Sequence, residues 1–241
     1  CMGGSFDFCN YLKNIEKKLI ISASLWITKD TLQNYNYDQI KSQLLIADRI
    51  IVNSNKEKDL LSEVFQIEKS QFRVVYNGFE PDLLTYKDKQ FDRSSEIPHD
   101  WEDYILCLAN IEPRKNQKIL IEACRLSKKK LVLVGHIRDK GYFRSLELDS
   151  NNSVYYYGPV ENHSLEFFKL LLNATCFILP STLETPGLAA LEAAALGIPI
   201  IVTSEGCAQE YFGEIDTYYD GKKGDVKELS DLISKIFINP I

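Results

Sequence analysis

Cys176-Phe177-Ile178-Leu179-Pro180-Ser181-Thr182-Leu183-Glu184-Thr185-Pro186-Gly187-Leu188-Ala189-Ala190-Leu191-Glu192-Ala193 is the stretch from which the rest of the chain can be read. Its first four residues have the length and composition of a buried strand. Leu188 to Leu196 is almost wholly Ala and Leu and is closed by Gly197 and Pro199, which predicts a helix with a stop signal. A tight turn joins the two, with Glu184 in the turn and Glu192 inside the helix. Pro186 is expected in the first helical turn, where its missing N–H has no partner to lose.

Such a strand–turn–helix suits a phosphorylated or polyhydroxylated ligand. The helix start offers N–H groups without partners and about half a positive charge. Glu184 stands at the mouth, where a carboxylate can accept hydrogen bonds from sugar hydroxyls. Glu192 lies deeper, on a helix of small apolar residues, and burying it unpaired costs several kcal/mol. A salt-bridged structural glutamate is the plain reading of Glu192; the spacing of two carboxylates around a helix start speaks for a ligand.

Glu184 and Glu192, with seven residues between them, lie within P-S-x-x-E-x-x-G-L-x-x-L-E-A-x-A-x-G-x-P. That context resembles the E-x7-E signature of retaining glycosyltransferases of family 4. The resemblance implies an α/β protein of GT-B type, with two Rossmann-like parallel-sheet domains. It also implies transfer of a hexose from a nucleoside diphosphate sugar to a hydroxyl.

Composition agrees with an ordinary globular protein: 241 residues, 45% hydrophobic and 26% charged. A net charge of −6 argues against nucleic acid as the main partner. No apolar run reaches membrane-spanning length and none reads as a signal peptide. Cys1, Cys9, Cys107, Cys124, Cys176 and Cys207 are scattered without a CxxC pair. They read as small buried hydrophobes in a reducing cytoplasm, with only a weak case for zinc.

In the N-terminal part, helical spacing of Phe8, Tyr11, Leu12 and Ile15 is followed by a strand over 19–23 and a long helix over 30–47. A strand over 49–52, a helix over 56–64 and a strand over 72–76 complete this alternation, which implies a parallel sheet. Ala47 to Ser54 and Val74 to Phe79 resemble the end of the family's acceptor-side domain. Only about 80 residues precede the polar stretch that reads as a linker, so this domain is expected to be incomplete, and the C-terminus trimmed. The expected boundaries are 1–84 for this partial domain, 85–100 for the linker and 101–241 for the donor-binding domain. His99 falls in the linker and reads as solvated. Many family members carry a His after an apolar strand near the transferred sugar; here Ile20-Ile21-Ser22-Ala23-Ser24 places Ser there.

The C-terminal part opens with a strand over 104–109, followed by Asn110-Ile111-Glu112-Pro113-Arg114-Lys115-Asn116 and a helix over 117–126. A loop past a strand's carboxyl end is where open α/β sheets bind ligands. Taken alone, its two cations are a solvated charged loop. P-R-K-N, however, resembles the family's diphosphate loop, which implies that Arg114 and Lys115 neutralise the donor diphosphate. Ala109-Asn110 stand where many members have Gly-Arg, leaving more of the charge to these two residues. Leu131 to Val134 is a strand ending in Gly135-His136, where the family places donor contacts; an idle loop histidine is an equal reading of His136. Val154 to Val160 is a further strand and turn. His163 begins the next helix with no obvious partner. A strand over 199–202, a short helix closed by Gly213 and a last helix through Leu229, Leu232, Ile233, Ile236 and Phe237 follow.

The resemblance implies catalytic roles for Glu184, Lys115 and Arg114. It implies donor contacts from Asn110, Arg114, Lys115, Gly135, His136, Glu184, Thr185, Gly187, Leu188 and Glu192, with Glu184 on the sugar and Glu192 on the ribose. It implies no metal and no cofactor beyond the nucleotide sugar, GDP-mannose or a UDP-hexose. The expected acceptor is a glycan, a lipid-linked group or a protein, in polysaccharide or related glycan synthesis. A cytoplasmic location is expected, with peripheral association at the inner face of the membrane and a partner subunit completing the N-terminal part both compatible with it. The alternative is a nucleotide-sugar-binding module or scaffold subunit that lacks turnover.

Overall fold

Strands and helices alternate along the chain because short runs of branched aliphatic residues are separated by stretches with apolar residues on one helical face. The computed structural model describes residues 6–87, 89–92, 97, 101–148, 153–215 and 217–238. His99 and Cys1 lie outside them. The chain divides into two units, Cys1–Asn77 and Gly78–Ile241.

In the N-terminal unit, α1 (Phe6–Asn14) precedes β1 (Ile20–Ser22), α2 (Tyr37–Ile46), β2 (Arg49–Val52), α3 (Asn55–Phe65) and β3 (Phe72–Val74). The three strands pair in parallel in the order β1-β2-β3. Ile50 and Val52 of the central strand, Phe72 of β3, Leu44 of α2 and Leu61 and Phe65 of α3 form the core. The single long helix expected over 30–47 is two pieces. A short 3-10 turn covers Leu32–Asn34, and α2 starts afresh where the Asn36 side chain accepts a hydrogen bond from Gln39 N at 3.1 Å. Asparagine competes with the helix for its own backbone and wins at a cap. Ser24, the residue expected in place of a histidine, has φ +44° and its hydroxyl lies 3.3 Å from Asn53 Nδ2, which donates to it.

The C-terminal unit contains β4 (Tyr104–Leu108), α4 (Gln117–Ser127), β5 (Lys130–Val134), α5 (Lys140–Ser145), β6 (Val154–Gly158), α6 (Leu165–Leu172), β7 (Cys176–Leu179), α7 (Leu188–Ala195), β8 (Ile200–Thr203), α8 (Ala208–Phe212), β9 (Tyr218–Tyr219) and α9 (Val226–Ile238). Its strands form one parallel sheet in the order β6-β5-β4-β7-β8-β9. Counted within the unit this is 3-2-1-4-5-6, the doubly wound order whose direction reverses between the first and fourth strands. Both faces are covered, which explains the unbroken apolar runs. Tyr104, Leu106, Val132 and Phe177 face α6 and α7, while Ile105, Cys107, Leu131 and Ile178 face α4 and α9. Cys9, Cys107, Cys124, Cys176 and Cys207 are buried free thiols, as their apolar settings predict. Burial pushes Cys107 and Cys176 up to about 12.

The second unit begins earlier than the expected linker. Leu83 is buried in its core, and the Tyr86 ring stacks on Phe168 with centroids 3.8 Å apart. The second unit starts at Gly78, so residues 78–84, expected at the end of the first domain, and 85–86, expected in the linker, belong to it.

Glu57 is the buried carboxylate of the N-terminal unit. Its Oε1 accepts from Leu25 N and its Oε2 from Asn53 N, both at 2.6 Å, while Ser54 Oγ caps the same helix at Glu57 N. Burial raises the Glu57 carboxyl above its ordinary value, against the pull of these two N–H groups. The folded state thus keeps this proton to higher pH than the unfolded chain. The associated stability is full at low pH and is lost as pH rises through the raised value. Glu57→Gln can accept only one of the two N–H groups and should cost about 1–3 kcal/mol in urea denaturation. The wild-type advantage should narrow as pH rises from the acid range to neutrality.

Candidate functional site

A cavity of about 280 Å³ opens at the carboxyl ends of the central strands of the C-terminal unit. Asn110 follows β4, Gly135 and His136 follow β5, Pro159 and Val160 follow β6, and Gly187 and Leu188 begin α7. The cavity therefore straddles the reversal in strand order between β4 and β7, where the backbone loops diverge and leave a crevice. Arg114 and Lys115 line it as well. Asn110, Arg114, Lys115, Gly135, His136, Gly187 and Leu188, all singled out from sequence, meet around this one cavity.

Arg114 and Lys115 are carried on a 3-10 turn, Pro113–Lys115, in which Pro113 fixes the entry. Lys115 Nζ donates to Glu184 Oε1 at 2.5 Å, and Arg114 Nη1 lies 3.7 Å from the same oxygen. Arg114 also donates to Leu183 O at 3.0 Å and to Glu112 Oε1 at 3.1 Å. Glu184 is 6% exposed, so its charge is compensated almost wholly by these two cations. Its other oxygen faces the helix start: a Cβ on Gly187 would lie 3.4 Å from Glu184 Oε2 and 2.9 Å from Leu179 Cδ2. With φ +84°, Gly187 caps α7 in a conformation that costs a side-chain-bearing residue. Pro186 therefore precedes the cap instead of occupying the first helical turn. The N–H groups of Leu188 and Ala189, at the helix start, have no intrahelical acceptor.

Glu184, Thr185 and Glu192 do not themselves line the cavity; Glu184 reaches it through the two cations that do. Thr185 is half-buried in the turn. Glu192, one helical turn beyond Leu188, is 7% exposed, and its Oε1 lies 3.1 Å from His163 Nε2. His163, without an obvious partner in the sequence, thus meets a carboxylate carried by α7.

Two braces escaped the sequence reading. Asn116, at φ +58°, donates from Nδ2 to Pro180 O and to Gly221 O, each at 3.2 Å, knotting the loops after β4, β7 and β9. Asparagine tolerates this conformation better than most residues, which is the one local clue. Gly206 lies against Glu184: a Cβ there would come within 2.0 Å of Glu184 O. Around it, Glu184 N donates to Glu205 O and Cys207 N to Glu184 O, both at 3.2 Å, so the loop after β8 holds the backbone of Glu184. A larger cavity, about 780 Å³, lies at the far end of α7 beside Leu191, Tyr211, Phe212 and Ile215. Its walls are mainly apolar and bring no pair of cations together, so the smaller, charged cavity is the better candidate.

The profile of the family described as glycosyl transferases group 1 matches residues 88–241. A glycosyltransferase of Methanocaldococcus jannaschii, itself uncharacterized, is 30% identical over 67% of this chain and 44% of its own length. The Campylobacter jejuni enzyme named N,N'-diacetylbacillosaminyl-diphospho-undecaprenol alpha-1,3-N-acetylgalactosaminyltransferase is 30% identical over 70% of this chain and 42% of its own. The chain thus spans under half the length of these curated relatives. Among solved structures, Anabaena HepE in complex with UDP and glucose superposes with a TM-score of 0.74 at 18% identity, over 96% of this chain and 65% of HepE. That likeness establishes the α/β fold with parallel sheets.

Two outcomes follow from this geometry. Lys115→Met leaves Glu184 buried with only the more distant Arg114, and should lower unfolding free energy by about 3 kcal/mol. The double variant Lys115→Met/Glu184→Gln should regain most of that loss in the same denaturation experiment. Gly206→Ala should lower the melting temperature clearly, whereas Gly78→Ala, whose Cβ meets nothing within 4 Å, should leave it nearly unchanged.

Proposed function

This chain belongs to the glycosyl transferases group 1 family, and on that premise we propose that it is a retaining, metal-independent hexosyltransferase of family 4 type that uses a nucleoside diphosphate sugar. The observation that carries the reading is the convergence of Arg114, Lys115 and the start of α7 on one cavity at the strand reversal, with the Glu184 carboxylate paired to both cations from beside it. GDP-mannose and the UDP-hexoses are the donors proposed.

Departure of the nucleoside diphosphate is the demanding step, because negative charge accumulates on the leaving phosphate. Lys115 has three N–H donors and spends one on Glu184, leaving two for phosphate oxygens. Arg114 adds a second cation, and the N–H groups at the start of α7 add fixed dipoles. Groups already aimed where charge develops need no reorganisation during reaction, which is why such an arrangement is effective. Glu184, anchored through Oε1 to Lys115, has Oε2 on the Gly187 side, suited to accept from hydroxyls of the transferred sugar. Glu192 is assigned to the ribose hydroxyls. Asn110, Gly135 and His136 close the opposite wall, and Thr185 contributes to the turn that carries Glu184.

The acceptor is proposed as a hydroxyl of a glycan, lipid-linked group or protein. The name of the Campylobacter relative favours the lipid-linked class. A cytoplasmic setting at the membrane face suits such an acceptor.

Calorimetric titration with UDP, GDP and ADP tests the donor site. One of them should bind, and Lys115→Ala/Glu192→Ala should abolish that binding. With the matching sugar nucleotide, transfer should retain the anomeric configuration and persist in EDTA, and Lys115→Ala should lower kcat on the order of a hundredfold or more. Binding without transfer would favour a nucleotide-sugar-binding module; no binding of any nucleotide would overturn the proposal.

A further inference from the structure

We propose that His163 is a positioning residue that orients Glu192 toward the ribose, and so sets how strongly the site distinguishes ribonucleotides from 2′-deoxyribonucleotides. The inference rests on the donor-site reading above, and takes it further by naming a residue that does not touch the donor.

The pair joins the two elements that carry the lining residues Val160 and Leu188. His163 stands three residues beyond Val160 in the loop between β6 and α6, and Glu192 sits one turn beyond Leu188 on α7; Val160 and Leu188 both line the cavity. A carboxylate can only accept, so Nε2 of His163 carries the hydrogen in the 3.1 Å contact with Glu192 Oε1. Among the described residues, His163 is the basic side chain within salt-bridge distance of Glu192. Of the two acidic residues flanking His163 in sequence, Glu161 and Glu166, the latter is engaged with Tyr157 Oη at 2.6 Å and Lys169 Nζ at 3.8 Å.

The imidazole is itself held. Its ring lies edge-on to Phe167, with centroids 5.6 Å apart, and 20° from parallel to Phe168 at 6.2 Å. Both phenylalanines are buried. The backbone of His163 has φ +58°, which non-glycine residues adopt at a cost and which the surrounding structure must therefore impose. A fixed ring holding one carboxylate oxygen removes a rotational freedom from Glu192 and leaves Oε2 to accept from a vicinal hydroxyl. Ordering a ligating carboxylate in advance lowers the entropy lost when the ligand arrives.

The test is calorimetry with UDP, GDP and ADP, then with the 2′-deoxy form of whichever binds, on wild type, His163→Ala, His163→Gln, Glu192→Ala and His163→Ala/Glu192→Ala. His163→Ala should weaken ribonucleotide binding roughly threefold to tenfold while changing deoxyribonucleotide binding little. His163→Gln, which keeps a donor at the same reach, should stay within about twofold of wild type. The double variant should bind no more weakly than Glu192→Ala alone, because the effect passes through that residue. Should His163→Ala melt early, His163→Asn replaces it, since asparagine tolerates positive φ but is too short to reach Glu192. Equal loss for both nucleotide forms, no loss, or multiplicative losses in the double variant would overturn the positioning role while leaving the donor site standing. A wild type that binds none of the three nucleotides would overturn both.

Discussion

The ion pair between Lys115 and Glu184 is the contact on which the rest of the site depends. Two nearly buried opposite charges on loops 69 residues apart in sequence can be accommodated only together, because either one alone would be left in a poorly solvating environment. The pair therefore fixes the relation between the turn after β4 and the turn after β7. Arg114 reinforces it through Leu183 O, and Thr182 N through its bond to Arg114 O at 2.9 Å. Such a pair adds little net stability compared with an apolar replacement of the same shape. Its value lies in geometry, since it holds a cation and an acceptor side by side.

That geometry is available because of the sheet beneath it. In a doubly wound sheet, loops after the two strands flanking the reversal leave in opposite directions, and the gap between them is open to ligand. β4 and β7 pair directly through Ile105–Cys176 and Leu106–Phe177, so the loops carrying Lys115 and Glu184 start from adjacent strand ends. Apolar packing on both faces makes those ends a rigid base.

Much of this was legible in the sequence, for identifiable reasons. Strand β7 has the expected bounds because four apolar residues followed by Pro180 leave no other solution. Helix α7 was legible because its run of Ala and Leu ends in a stop signal at Gly197 and Pro199. Local pattern failed where a side chain diverts the backbone, as Asn36 does in ending one helical turn and starting α2. It failed again where a short helix joins a distant core, as Leu83 does near the boundary between the units. The cations and carboxylates could be named from their motif, but their partners could not. The match of His163 with Glu192, and of Gly206 with the backbone of Glu184, joins residues that only the folded chain brings together.

The knot tied by Asn116 has a kinetic meaning. One amide group fastens the loops after β4, β7 and β9 to one another before any ligand arrives. The nucleotide proposed for this crevice would meet walls that need no folding, so its capture would be governed by encounter and by the attraction between its phosphates and the two cations. The affinity of the site is then expressed chiefly in residence time. Loosening Asn116 would slow arrival as well as hasten departure, since the loops would have to find one another while the ligand waits.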